Sequence, residues 1–149
     1  QGFALEKVVY RGVPQPREDH FGALCALGRS DIALFMVNTG SIPGGVDSQD
    51  KLSCTPTYLA SIYGLKDVVT ALIEAGADIN LAVKDGGTPL FVASQEGHVE
   101  VVRELLAAGA DHTLAWIIDD QRKETPLEAA RRNGHRNIVQ LLQEYGVAA

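Results

Sequence analysis

A repeated frame constrains this chain more than any other feature. Thr-Pro pairs stand at Thr55-Pro56, Thr88-Pro89 and Thr125-Pro126. Nine residues after each Thr comes a glycine: Gly64, Gly97 and Gly134. Twelve residues after each of these comes another: Gly76, Gly109 and Gly146. Between the glycines lie paired apolar residues, Val68-Val69 with Leu72-Ile73, Val101-Val102 with Leu105-Leu106, and Ile138-Val139 with Leu141-Leu142. The frame continues upstream in weaker form. Gly28 and Gly40 are again twelve apart, with Ile32, Phe35, Met36 and Val37 between them and Asp19 in the place of Thr. The chain therefore holds four units, the first degenerate, and self-similarity at this period is the mark of a repeat architecture.

Each part of the unit has a physical reading. Thr accepts a hydrogen bond from an orphan N–H at a helix start, and Pro is pre-set for the first helical turn; Asp19 can cap in the same way. The helix spans about two turns and stops at the first glycine, which takes up a left-handed cap. A second helix follows, with apolar residues recurring on one stripe. The second glycine ends it, and an extended polar connection leads to the next Thr. One helix pair cannot bury its own stripe, but stacked pairs can. The expected fold is all-α: a solenoid of about four helix-turn-helix units with hairpin-like connecting loops.

These residues resemble the ankyrin repeat family, a 33-residue unit of turn, helix and helix. The stretch Asp85-Gly86-Gly87-Thr88-Pro89-Leu90, through Gly97-His98-Val99-Glu100-Val101-Val102, to Leu105-Leu106-Ala107-Ala108-Gly109-Ala110-Asp111 is similar to the family consensus, and the likeness runs from about Asp19 to Val147. The division that follows is one domain over 1–149: a capping segment 1–18, a degenerate unit 19–49, and units 50–82, 83–115 and 116–149. The resemblance implies a His three residues after each Thr. Here Tyr58, Phe91 and Glu128 replace it, so a local hydrogen bond is expected to be missing. Gly40 to Thr55 is 15 residues and Gly109 to Thr125 is 16, against 12 for Gly76 to Thr88. The resemblance implies that this extra length falls at two hairpin tips, Pro43–Leu52 and Trp116–Arg122. Phe3–Tyr10 reads as a further helix whose Phe3, Val8 and Val9 cover the open end of the first unit. Equally, the chain reads as a section of a longer array.

The chemistry-bearing residues give little purchase for catalysis. His98 and His135 follow the first-helix glycine, where the resemblance implies a structural His. No His or Cys pair lies at zinc-ligand spacing. Cys25 and Cys54 have no neighbouring His to activate a nucleophile and read as inert thiols. Gly44-Gly45 and Gly86-Gly87 lack the residues of a phosphate loop. Asp119-Asp120 reads as a solvated tip. The expectation is a non-enzyme with no metal and no cofactor. Asn80 closes Asp78-Ile79-Asn80, which resembles both the plain family consensus and a site of asparagine hydroxylation in that family.

Charge and composition narrow the partner. The net charge is −6 over 149 residues, and an acidic chain is repelled by phosphate backbones. The longest apolar run, Ile32–Val37, falls far short of the ~20 residues that cross a bilayer. Two cysteines do not make a disulfide scaffold, so a reducing cytoplasmic or nuclear setting is expected. The window Arg122–Arg136 carries five cations against Glu124 and Glu128. It reads as the polar outer face of a terminal repeat or as a docking patch for an acidic partner.

The function expected is protein–protein interaction by a monomer, with no nucleic acid or membrane as partner. The alternative is the regulatory or targeting part of a larger enzyme. In the architecture that the resemblance implies, the ends of the first helices line a concave face beside the hairpin tips. The contact residues expected are Leu27, Ile62, Tyr63, Gln95, Glu96 and Arg132 at those ends, with Tyr58 and Phe91 earlier on the same helices. The last tip adds Trp116, Ile117 and Arg122. Trp116 with Ile117 and Ile118 either packs back onto the hairpins or stands out as an anchor.

Overall fold

Thr55, Thr88 and Thr125 start helices as their chemistry requires. Each hydroxyl accepts from the backbone N–H three residues on, at Tyr58, Phe91 and Glu128, and each following Pro opens the helix. This computed structural model describes residues 20–148, with side chains from 21 to 146. The expected cap at Phe3–Tyr10 and the expected N-cap Asp19 lie outside the described residues.

Four helix pairs follow one another. The first helices are α1 (His20–Ala26), α3 (Pro56–Ile62), α5 (Pro89–Glu96) and α7 (Pro126–Arg132). The second helices are α2 (Ser30–Asn38), α4 (Lys66–Glu74), α6 (Val99–Ala107) and α8 (Arg136–Ala148). The first helices pack side by side in one layer and the second helices in another. Ala60, Ala93 and Ala130 are wholly buried, and with no side chain beyond Cβ they let successive first helices approach closely. Val68, Val69, Leu72, Val101, Val102, Leu105 and Ile138 are also wholly buried, so the apolar stripes of the second helices form the rest of one continuous core.

The turn inside each pair is built alike. Gly28, Gly64, Gly97 and Gly134 all have positive φ. The next residue donates its N–H back to the first helix: Arg29 to Leu24 O, Leu65 to Ala60 O, His98 to Ala93 O and His135 to Ala130 O. The left-handed glycine makes this closure possible. Gly40, Gly76 and Gly109 end the second helices of the first three units in the same conformation. Gly146 does not end the fourth. It keeps a helical backbone, and α8 runs on to Ala148. Glycine permits a left-handed cap without imposing one.

The last unit has a polar outer side. Ser61 and Ser94 are wholly buried, whereas the matching residue of the fourth unit is the exposed Arg131. Likewise Leu106 is buried and its match Gln143 is exposed.

Of the two long connections, one forms an extended tip and the other does not. Asp47 Oδ1 accepts from Asp78 N–H, and Asn80 Oδ1 accepts from Asp111 N–H, both at 2.9 Å. Asp47 is thus the counterpart of Asn80. Eight residues separate Asp47 from Thr55, as eight separate Asn80 from Thr88. The extra residues of the first loop therefore lie before Asp47 and not at the tip. They make a turn at Pro43-Gly44-Gly45, closed by Gly45 N–H to Ile42 O, and Ile42 is buried beneath it. In the last loop the extra length lies beyond Thr113, and there the chain forms a ribbon of β1 (Trp116–Ile117) and β2 (Lys123–Glu124), the one sheet among the described residues.

Candidate functional site

The last two residues of each first-helix segment are exposed or half-buried, and they change character along the stack. Leu27 is 63% exposed and Tyr63 44%, with Ile62 half-buried beside it. In the third unit these places hold the half-buried Gln95 and the exposed Glu96; in the fourth they hold the exposed Arg132 and Asn133. The row runs from apolar to polar and charged.

The aromatic residues expected on the same surface are turned elsewhere. Phe91 is 2% exposed, so it is not a surface group. Its ring meets that of Trp116 edge to face, with centroids 5.2 Å apart and planes at 65°. Trp116 is half-buried by this contact and is not an exposed anchor. Tyr58 is half-buried in the matching place one unit earlier. A methyl group on Gly87 would lie 3.7 Å from its ring, so the ring rests against the loop that leads to α5. Burial pushes the Tyr58 hydroxyl up to about 12, with Cys54, Glu96 and Asp85 adding to the effect. Both aromatics occupy the place of the family's His. They hold the next loop against the first helix by packing. Glu128, the third replacement, supplies the hydrogen bonds expected to be missing: its carboxylate accepts from Thr125 N–H at 2.8 Å and from the Thr125 hydroxyl.

Four further contacts brace the ribbon. Ile117 N–H donates to Asp85 O at 2.7 Å, which ties this tip to the preceding one. Arg132 grips Glu124 with two bonds, Nε to Oε1 at 2.7 Å and Nη2 to Oε2 at 3.0 Å. Glu124 is buried, 7% exposed, so the pair joins the second strand to the end of α7. At the turn, Asp119 accepts from the N–H groups of Gln121 and Arg122 and from Arg122 Nε at 2.8 Å. These donors, Gln121 first, hold the Asp119 carboxyl below its usual range. Arg122 is thus engaged within its own turn. Beside its exposed polar turn the ribbon leaves two apolar side chains outside: Ile117 is 48% exposed and Ile118 43%.

Spacing does not reveal Glu124 as a bracing residue, since nothing periodic links it to Arg132. Asp47 carried a usable signal, its 33-residue separation from Asn80. Leu52, 73% exposed at the first tip, stands where the next unit has Asp85.

His98 and His135 sit where a structural role places them. His98 Nε2 donates to Ile62 O at 2.8 Å and His135 Nε2 to Gln95 O at 2.9 Å. Each ring joins one unit to the end of the preceding first helix. Asn80 likewise holds two loops together through its side-chain oxygen. Cys25 and Cys54 are buried free thiols, pushed up to about 12 and about 11, chiefly by desolvation.

No match is found among curated proteins. A family model described as ankyrin repeats (3 copies) matches residues 20–115 and again 81–149. With the stacked helix pairs, glycine turns and inter-unit histidines, this match shows that the chain belongs to the ankyrin-repeat family.

Proposed function

We propose that this chain is a non-enzymatic protein-binding module that takes its partner along the ends of the first helices and on the β1–β2 ribbon. Ankyrin repeats are generally protein–protein interaction modules and typically non-catalytic. The observation that carries the finer reading is the exposure of Leu27, Tyr63, Ile117 and Ile118, which the core does not use. Large exposed apolar groups mark interaction sites, and the ribbon is held in one shape before any partner arrives, which lowers the ordering cost of binding. Partner, compartment and monomeric state follow the reading from sequence: another protein, bound inside a reducing compartment by a single copy of the chain.

Affinity capture with the wild-type chain, and with a Tyr63→Ala/Ile117→Asp variant as control, tests this reading. A captured protein should bind Tyr63→Ala at least ~30-fold more weakly, the effect of losing about 2 kcal/mol at an interface anchor. Helical circular dichroism should not change. If Tyr63→Ala binds as the wild type does while Arg103→Ala, on the outer side of α6, abolishes binding, the surface lies elsewhere.

A further inference from the structure

The second and third units differ in the same way at their tips and at their helix ends. Three residues before the capping Thr lies the tip position, Leu52 in the second unit and Asp85 in the third. Eight residues after it lies the helix end, Tyr63 and Glu96. All four are exposed. The second unit is thus apolar at both places and the third is acidic at both. Past the third unit the surface turns apolar again, at Ile117 and Ile118 of the ribbon. These places are neighbours. α3 and α5 pack side by side, and Asp85 O accepts the N–H of Ile117.

The two carboxylates are uncompensated. Among the described residues neither has an ion-pair partner, and Lys84, next to Asp85 on the tip, has none either. Glu96 accepts from the neutral Gln95 Nε2 at 3.3 Å. After burial, both carboxylates add to the rise of the Tyr58 hydroxyl, whose ring rests against Gly87, two residues past Asp85. The two charges therefore bear on one place.

We propose that the partner presents an extended segment with a lysine or arginine between two large apolar residues, the cation set against Asp85 and Glu96 and the apolar residues against Leu52 and Tyr63 on one side and Ile117 and Ile118 on the other. This rests on the docking surface proposed above and adds the chemistry of its occupant. Neighbouring helices pack about 8–10 Å apart and an extended chain advances about 3.3 Å per residue, so the segment passes one unit in about three residues. Complementary charge selects a partner and fixes its register. An acidic segment meets like charge in the third unit. It finds no free cation in the matching places of the fourth, because Arg122 and Arg132 are already paired with Asp119 and Glu124.

Selection from a random displayed peptide library on the full chain tests this. Enriched peptides should carry Lys or Arg with a large apolar residue about three places to each side. As labelled synthetic peptides they should bind Asp85→Lys/Glu96→Lys at least ~10-fold more weakly, because like charges then face each other. The reversed chain should prefer the same peptide with Glu in place of its cation. Asp85→Asn/Glu96→Gln, which removes the charge and keeps the shape, should weaken binding about threefold or more. Added salt should weaken binding to the wild type, since exposed charges are screened. No enrichment, or enrichment of acidic or uncharged peptides, overturns the inference. So does unchanged affinity for both charge variants. In that last case, loss of binding in Tyr63→Ala/Ile117→Asp leaves the docking surface standing, whereas indifference to those substitutions removes both.

Discussion

Gly64 shows how one residue can be fixed from two directions. Its φ is +67°, and a Cβ there would sit 2.5 Å from the His98 ring. Gly64→Ala therefore meets left-handed strain of order 1–3 kcal/mol and a collision in addition. Urea unfolding should show a loss of at least about 2 kcal/mol, and a smaller loss when His98→Ala removes the ring first. Gly28 has a similar φ of +69° but nothing near its missing Cβ, because Leu65 and not a His follows one unit on. Gly28→Ala should cost the strain alone. Cys25 gives a pH dependence at the same scale. Its thiol is pushed up to about 12 by burial from an ordinary 9.0. The unfolded chain releases this proton above about pH 9 while the folded chain holds it, so the stability it contributes is full below pH 9 and is lost between 9 and 12. Cys25→Ser, which places there the residue of the next two units, should flatten the decline measured by alkaline unfolding. Cys54 and Tyr58, raised in the same direction, account for the slope that remains.

The ribbon is the element whose role changed most between sequence and structure. Arg132 reads from sequence as a free docking charge, yet it is spent on Glu124. Arg132→Ala should therefore loosen β1–β2 before it alters any encounter with a partner. Amide exchange at Ile117 and Ile118 should rise about fivefold or more, with α3 and α4 unchanged, since local openings are governed by local contacts. If exchange does not change, the pair is ornamental at the surface, as most exposed ion pairs are. The helices themselves were legible because their signals are local: a capping Thr, a Pro at the first turn, a glycine at the end. Trp116 and Phe91 were not, because their contact joins residues 25 apart in sequence through a loop of irregular length. Periodicity says that position 91 lies on the first helix. It does not say whether the ring turns outward or under the next loop, and an aromatic ring turns under when a second ring is there to meet it. Gly146 was misleading for a related reason, since a glycine codes for permission and the neighbouring chain decides its use.

Across the whole molecule, stability is shared between neighbouring units. Leu105 is wholly buried on α6, in the third of the four units. Leu105→Ala should cost about 2–5 kcal/mol, and the loss should spread to the flanking pairs, because each unit is stabilised by its neighbours. Calorimetry should record one transition shifted down by several degrees; a melting temperature within a degree of the wild type would place Leu105 outside the core. The stack was readable from sequence because every unit repeats the same solution. The partner surface was readable only in part, because surface positions do not obey the period that packing imposes. The side-chain bonds from Asp47 to Asp78 and from Asn80 to Asp111 add a division of labour within each loop. They meter the loop bases, so the spiral keeps its pitch whatever happens beyond them. Loop length past that point is free to vary, and the third loop is the longer one there, 12 residues from Thr113 to Thr125 against 8 from Asn80 to Thr88. A foreign peptide grafted between Ile118 and Arg122 should be displayed at the rim with the pitch of the spiral undisturbed.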